Sequence, residues 1–413
     1  MNLTKQQGSI FSLAVLVAAL GYFVDIYDLL LFSIIRIPSL QDLGLSGDRI
    51  AKDGLLIINV QMMGLLLGGI LWGVLGDKKG RLKVLYASII LYSVGNIANG
   101  FVQTVDQYAL VRFISGVGLA GELGAGITLV SELLPREKRG IGTSLVAGVG
   151  LTGAVVAFFL KEHFHWRVCY FIGGGLGILL LFLRVGVLES DMFKGIKTSG
   201  VSKGNFFMFF NNKIRFRKYI TSILIGLPTW YVIGILITFS HEFGEKMGVS
   251  GEIDPGKAVM FAYAAISVGD IAIGLLSQWM QSRKKALYVF YGITAAGMIW
   301  FFNLHGQSAA SLYAACALLG FGTGFWAIFV TMAAEQFGTN IRATAATTVP
   351  NMVRGGLNLI SLLFASLQAS AGYVNSGLIT GVVCMAIGIT SVLLSDETFG
   401  KDLDYLEMEE MLP

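Results

Sequence analysis

The sequence predicts an all-α membrane protein, with twelve transmembrane helices in two pseudo-symmetric six-helix bundles. Three observations lead there. Of 413 residues, 54% are hydrophobic and only 14% charged, with a mean hydropathy of +0.70, whereas a soluble chain carries about 25% charged residues. Apolar stretches of the ~20 residues that a span requires recur twelve times. Short motifs near the ends of the fourth and tenth stretches repeat, which divides the chain six and six. The same composition excludes a disordered chain, and three cysteines in this length exclude a disulfide-stapled scaffold. A net charge of +4 is too small to suggest a nucleic-acid partner.

The spans fall at 10–35, 54–76, 84–103, 108–134, 140–160, 167–188, 218–240, 257–281, 286–304, 309–335, 341–369 and 373–395. The ten-residue alternation of a membrane barrel is absent. One lysine precedes a first span interrupted by two aspartates, which does not read as a cleavable signal peptide. Basic residues set the orientation. One face carries Lys78, Lys79, Arg81 and Lys83, then Arg136, Lys138 and Arg139, then Arg283, Lys284 and Lys285. The long central segment adds Lys194, Lys197, Lys203, Lys213, Arg215, Arg217 and Lys218. Opposite loops offer little beyond Arg49, Lys52, Lys161 and Lys246. Both termini are therefore expected in the cytoplasm of a multi-pass inner-membrane protein. The expected organisation is an N-terminal bundle over 1–188, a basic cytoplasmic loop over 189–217, a C-terminal bundle over 218–395 and an acidic tail over 396–413.

Internal repetition supports the division. Glu132 and Arg139 close span 4 at a separation of seven, as Glu335 and Arg342 close span 10. The run Gly116-Val-Gly118-Leu-Ala-Gly121 before the first pair is echoed by Gly320-Phe-Gly322-Thr-Gly324 before the second. The first run satisfies GxGxxG, but it lies inside a span rather than after a soluble strand, so it is read as close helix packing by small residues. Gly251-x-x-x-x-Gly256-Lys257 is followed by alanine and completes no phosphate loop. His163-x-His165 supplies two ligands where a tetrahedral site needs four. No nucleophilic triad or HExxH is present, so no catalytic residue, metal or cofactor is expected.

Ionisable residues inside spans are the informative ones, because each costs roughly 2.5–3.5 kcal/mol at a helix centre on insertion scales. They are Asp25 and Asp28 in span 1, Arg112 and Glu122 in span 4, Asp270 in span 8 and Arg354 in span 11. Asp25 and Asp28, at i and i+3, share one helix face. Two such acids repel and lose hydration together, which suits a proton carrier, and Glu122 at similar depth is placed to share the proton. The alternative is static pairing, for example of Asp28 or Glu122 with Arg112. Arg112 and Arg354 are the cations open to a substrate anion, and Asn351 lies one turn from Arg354. For Arg354 the alternative is an ion pair with Asp270. Trp230, Tyr231 and Trp326 are candidates for an aromatic wall, or for ordinary helix packing.

These features resemble the major facilitator superfamily. Gly76-Asp77-x-x-Gly80-Arg81-x-Lys83 matches its loop between helices 2 and 3. Arg112 with the following glycines matches its fourth helix, and Glu132-x-x-Pro135-x-x-x-Arg139-Gly140 and Glu335…Arg342 match its acid–arginine pairs. The tail Asp396-Glu397-Thr398-Phe399-Gly400-Lys401 is similar to the sugar-porter signature, without its proline and first lysine. Asp25-Ile-Tyr-Asp28 with Gly121-Glu122 looks more like the aromatic-acid and metabolite:proton symporters. Span 5 lacks the Gly-Pro pair of antiporters, which favours symport or uniport. The resemblance implies the major facilitator fold, a cavity lined by helices 1, 4, 7 and 10, and an inner gate from Asp77, Arg81, Glu132, Arg139, Glu335 and Arg342. It implies a secondary transporter working by alternating access as a monomer. The substrate expected is a small organic anion imported with a proton as the coupling ion. A facilitative or proton-coupled sugar or polyol carrier is the alternative, and a receptor or scaffold without transport a third reading.

Overall fold

The computed structural model describes residues 12–122, 124, 126, 130, 134, 136–184, 205–401 and 405–407. Ten helices among them are long and apolar enough to cross a membrane. Arg81–Asn99 and Val105–Leu119 supply spans 3 and 4 and complete the twelve. Span 1 (Leu13–Asp42) and span 2 (Asp48–Lys79) are long, 30 and 32 residues. At about 1.5 Å per residue both exceed a hydrocarbon core of about 30 Å. Span 1 therefore runs past the expected limit at 35 and takes in Arg36. Span 5 is Arg136–Leu151 followed by Gly153–His163, and span 6 is Trp166–Leu183.

Span 7 is assembled from Lys213–Ile225, Leu227–Tyr231, a π-helical segment Val232–Ile237 and Ser240–Lys246. Spans 8 and 9 are Pro255–Met280 and Arg283–Phe302. Span 10 breaks into Ala309–Thr323 and Trp326–Glu335, and spans 11 and 12 are Arg342–Ala371 and Tyr373–Leu394. The outward surface is apolar, with Leu359 73% and Ile299 67% exposed. A soluble protein buries such positions, and a lipid-facing helix leaves them out.

Helix contacts repeat between the halves. Span 1 packs on 5 and 6, span 2 on 4, and span 3 on 4 and 6. Correspondingly, span 7 packs on 11 and 12, span 8 on 10, and span 9 on 10 and 12. The two glycine runs explain part of this symmetry. A Cβ on Gly116 would meet the Gln61 carbonyl of span 2, and one on Gly118 the Tyr92 backbone of span 3. In the second half, Gly320 approaches Ala262 of span 8 and Gly322 approaches Thr294 of span 9. Both runs bring helices into backbone contact, as small residues do in membranes. The halves join where span 2 lies along span 11 and span 5 along span 8. Gly80, at φ 105°, makes the turn between spans 2 and 3 that a side chain would strain.

Candidate functional site: a closed cavity between the halves

At mid-height, where the halves face each other, lies a small cavity. Span 1 contributes Tyr22, Ile26 and Leu29; span 7 contributes Thr229, Trp230 and Ile233. Tyr263 of span 8, Thr323 and Trp326 of span 10, and Arg354 of span 11 complete its polar and aromatic lining. Trp230 and Trp326 thus stand on the wall. Tyr231 does not, since its hydroxyl donates to the Gly377 carbonyl of span 12 at 2.6 Å.

Arg354 is buried at this wall. It donates to Asn351 Oδ1 at 3.2 Å and stacks over Trp326, 5.7 Å from the ring centroid. Asn351 is itself fixed, donating to the Ala120 carbonyl of span 4 and to the Thr347 carbonyl, both at 2.8 Å. Across the interface Arg354 faces Asp25 of span 1, with 3.8 Å between Nη2 and Oδ2. That separation is an ion pair without a hydrogen bond. Neither Asp25 oxygen has a hydrogen-bond partner, and Arg354 Nε, Trp326 Nε1 and Thr229 Oγ1 are likewise unbonded. Asp270 is not the counter-ion of Arg354; its carboxylate accepts the Ala327 N–H at 3.0 Å, at the break in span 10.

The other acids are tied within the N-terminal half. Arg112 donates to Asp28 Oδ1 at 2.6 Å and to the Asp28 carbonyl at 2.9 Å, and its Nε reaches Gln61 at 3.2 Å. Arg112 is therefore turned into the bundle, not onto the cavity. Glu122 pairs with Arg184, at the end of span 6, rather than with Arg112. It lies against Gly21, one turn below Asp25 rather than level with it.

Both ends of the cavity are closed by ties between the halves. On the basic face, Asp77 accepts the backbone N–H and the hydroxyl of Thr344, at 2.7 and 2.6 Å. The acid of span 2 thus caps the first turn of span 11, where a helix favours negative charge. Glu335 pairs with Arg283 of span 9 at 3.1 Å, inside the C-terminal half. Arg342 is fully buried at the start of span 11. Glu132 lies outside the described residues, as do the side chains of Arg81 and Arg139. Beyond span 12, Glu397 seats the tail on the start of span 9. Burial pushes its carboxyl up, but hydrogen bonds from Ser282 and the Arg283, Phe399 and Lys284 N–H groups hold it below its ordinary value.

At the opposite face Arg36 donates to Glu242 of span 7 at 2.8 Å and stacks on Phe239 at 4.6 Å, while Lys161 of span 5 pairs with Asp254 at 2.7 Å. Sequence reading missed Arg36, because hydropathy ended span 1 just before it, and passed over Arg184, which lies within the expected span 167–188 although the helix ends at Leu183.

These ties make one prediction. Glu242→Gln weakens the opposite-face closure and Asp77→Ala the basic-face closure, each a charge-assisted contact worth about 1.5–3 kcal/mol. With Thr229→Cys as a reporter in liposomes, an impermeant maleimide added at the opposite face should label the Glu242→Gln carrier about tenfold faster. Asp77→Ala should slow that labelling and speed labelling from the basic face. Equal rates in both backgrounds would show that the ties do not govern access.

Comparison with known proteins fits this geometry. Residues 11–356 match the Major Facilitator Superfamily. A Bacillus subtilis (strain 168) protein named as a niacin/nicotinamide transporter is 27% identical over 95% of this chain and 96% of its own length. The niacin transporter of Acinetobacter baylyi is 26% identical over 94% of each, and a Cupriavidus pinatubonensis protein named as a 4-methylmuconolactone transporter is 25% identical over 92% of this chain and 89% of its own length. The structure of the proton:xylose symporter XylE superposes with a TM-score of 0.72 at 18% identity, covering 95% of this chain and 97% of that one. The chain belongs to the major facilitator superfamily: it is a multi-pass membrane transporter of small molecules, not an enzyme.

Proposed function

We propose that this transporter imports a small aromatic or heteroaromatic monocarboxylate together with one proton, across the cytoplasmic membrane, as a monomer with both termini inside. The observation that carries the reading is Arg354 of one half facing Asp25 of the other at 3.8 Å, with both Asp25 oxygens unbonded. A protonated Asp25 is neutral and releases the Arg354 charge to a substrate carboxylate, whose oxygens match the guanidinium fork. The Trp326 indole N–H and the Thr229 hydroxyl offer further donors, and Trp230 and Trp326 offer faces for a ring. After the halves rock, loss of the proton restores the Asp25 carboxylate, which competes for Arg354 and expels the anion. Asp28 holds Arg112 rather than carrying the proton. Relatives named for niacin and 4-methylmuconolactone transport support a ring-bearing substrate.

The test is uptake into liposomes with a pH gradient, using pyridine- and benzene-carboxylates, their neutral amides, and sugars. A monoanion moving with one proton is electroneutral, so accumulation should approach about tenfold per pH unit and ignore an imposed membrane potential. Uptake of sugars or polyols without pH dependence would overturn both the anion and the proton assignment, in favour of the facilitative carrier.

A further inference from the structure

Span 7 begins against its own dipole. The helix Lys213–Ile225 carries Lys213, Arg215, Arg217 and Lys218 at its start and no acid in its first turn, although a helix N-terminus favours negative charge. Arg215 is answered by Glu407 at 3.6 Å. The other three are not matched in this way. At about 100° per residue, Lys213, Arg217 and Lys218 lie within one arc of about 140°, with Ile214 inside it. They line a pocket at the basic face, bounded by Leu394 and Asp396 at the end of span 12 and by Gln336 just past span 10. Arg217 donates to the Leu394 carbonyl at 2.7 Å, a neutral partner. Lys218 stands 4.0 Å from Asp396, beyond hydrogen-bond reach. Lys213 has no ion-pair partner among the described residues. Three cations thus face one carboxylate in this pocket. Lys401 of the tail feels the excess: burial, and then the neighbouring Lys218 charge, hold its amine below its ordinary value. Gln336 is fully buried, and while its Nε2 donates to Ser222 at 2.9 Å, its Oε1 has no hydrogen-bond partner. On the outer side Ile214, Leu393 and Leu394 are exposed, so the cations adjoin surface that faces lipid chains.

We infer that this pocket holds the phosphoglycerol headgroup of an anionic phospholipid from the leaflet at the basic face. The phosphodiester supplies the charge that Lys213 and Lys218 lack, beside a helix N-terminus that favours it. A headgroup hydroxyl is a donor, the kind of partner that the Gln336 Oε1 lacks. The acyl chains lie along Ile214, Leu393 and Leu394, which a free anion would leave bare. Because the pocket joins the ends of spans 7, 10 and 12, the lipid fastens three helices of the C-terminal half together. It shares no lining residue with the central cavity, so the inference stands independently of the substrate.

The experiment titrates the purified full chain in detergent with phosphatidylglycerol, with phosphatidylcholine of the same acyl chains, and with glycerol 3-phosphate, reading thermal unfolding and lipid-bound mass. Phosphatidylglycerol should raise the melting temperature saturably, and the other two should not. The double variant Lys213→Gln/Lys218→Gln should bind phosphatidylglycerol about thirtyfold more weakly, roughly fivefold for each basic residue. Raising the salt concentration should weaken wild-type binding in the same direction. Lys78→Gln/Lys79→Gln removes the same charge from exposed positions at the end of span 2 and should leave the affinity within about twofold. The melting temperature of each variant without lipid shows whether it is folded. An unchanged affinity in the Lys213/Lys218 variant overturns the site. So does an equal loss in both variants, which would reduce the effect to general attraction by a basic surface. Stabilisation by glycerol 3-phosphate alone would make the pocket a site for a free anion and overturn the lipid assignment.

Discussion

Asp25→Asn should yield a carrier that exchanges substrate freely but no longer concentrates it against a pH gradient. Asparagine imitates the neutral carboxyl in shape and charge, so Arg354 keeps its full charge for the substrate at every pH. In wild type the carboxylate 3.8 Å away competes for that charge. The sign follows: protonation removes the competitor, so wild-type affinity for the anion rises as pH falls. In Asp25→Asn the affinity should hold the low-pH value throughout. Calorimetric titration of substrate at pH 6 and pH 8 checks this, and radiolabel uptake under a two-unit gradient checks the coupling. Wild type should approach about 100-fold accumulation, and Asp25→Asn should reach only equality. Asp28→Asn makes a useful contrast, since it strips the buried Arg112 of its counter-ion and should cost about 3–5 kcal/mol of stability. Accumulation by Asp25→Asn equal to wild type would remove Asp25 from the coupling step.

Much of this architecture is legible in the sequence, and the reason is physical. A lipid-facing surface demands long apolar helices, so the spans and the six-plus-six division follow from hydropathy and charge. The glycine run at 116–121 reads as helix packing, because a small residue in a span has few other uses, and its echo at 320–324 packs in the same way. The intramembrane charges could also be found, since each demands a partner. Which partner it finds is a property of the assembled interface. Asp25 and Arg354 come from opposite halves and meet only when both bundles dock. Asp270, the nearer suspect, instead satisfies the broken backbone of span 10. Asp77 caps span 11, a role visible only once the start of that helix is placed beside span 2. Arg36 escaped because hydropathy marks where apolar character ends, not where the helix ends. The long side chains of Arg36 and Arg184 reach acids on other spans.

Arg354→Gln should abolish specific binding. The guanidinium is the one arginine among the described residues lining the cavity, and its Nε remains unbonded. Hydrogen bonds to charged groups contribute about 1.5–3 kcal/mol each, so loss of a bidentate carboxylate contact should weaken binding by at least about 100-fold. Arg354→Lys keeps the charge but not the fork, and should retain weak binding with poorer discrimination between a carboxylate and its amide. Arg354→Gln also strands the Asp25 carboxylate, a defect that can lower stability by about 3–5 kcal/mol. The double variant Asp25→Asn/Arg354→Gln separates the two effects, because both groups become neutral together. It should recover the melting temperature lost in Arg354→Gln yet bind no substrate. Thermal unfolding with and without ligand reads both quantities in one experiment, since a ligand at 100 times its dissociation constant stabilises by about 2.7 kcal/mol. Recovery of binding in that double variant would mean that Arg354 serves only to balance Asp25, and that the anion is recognised elsewhere.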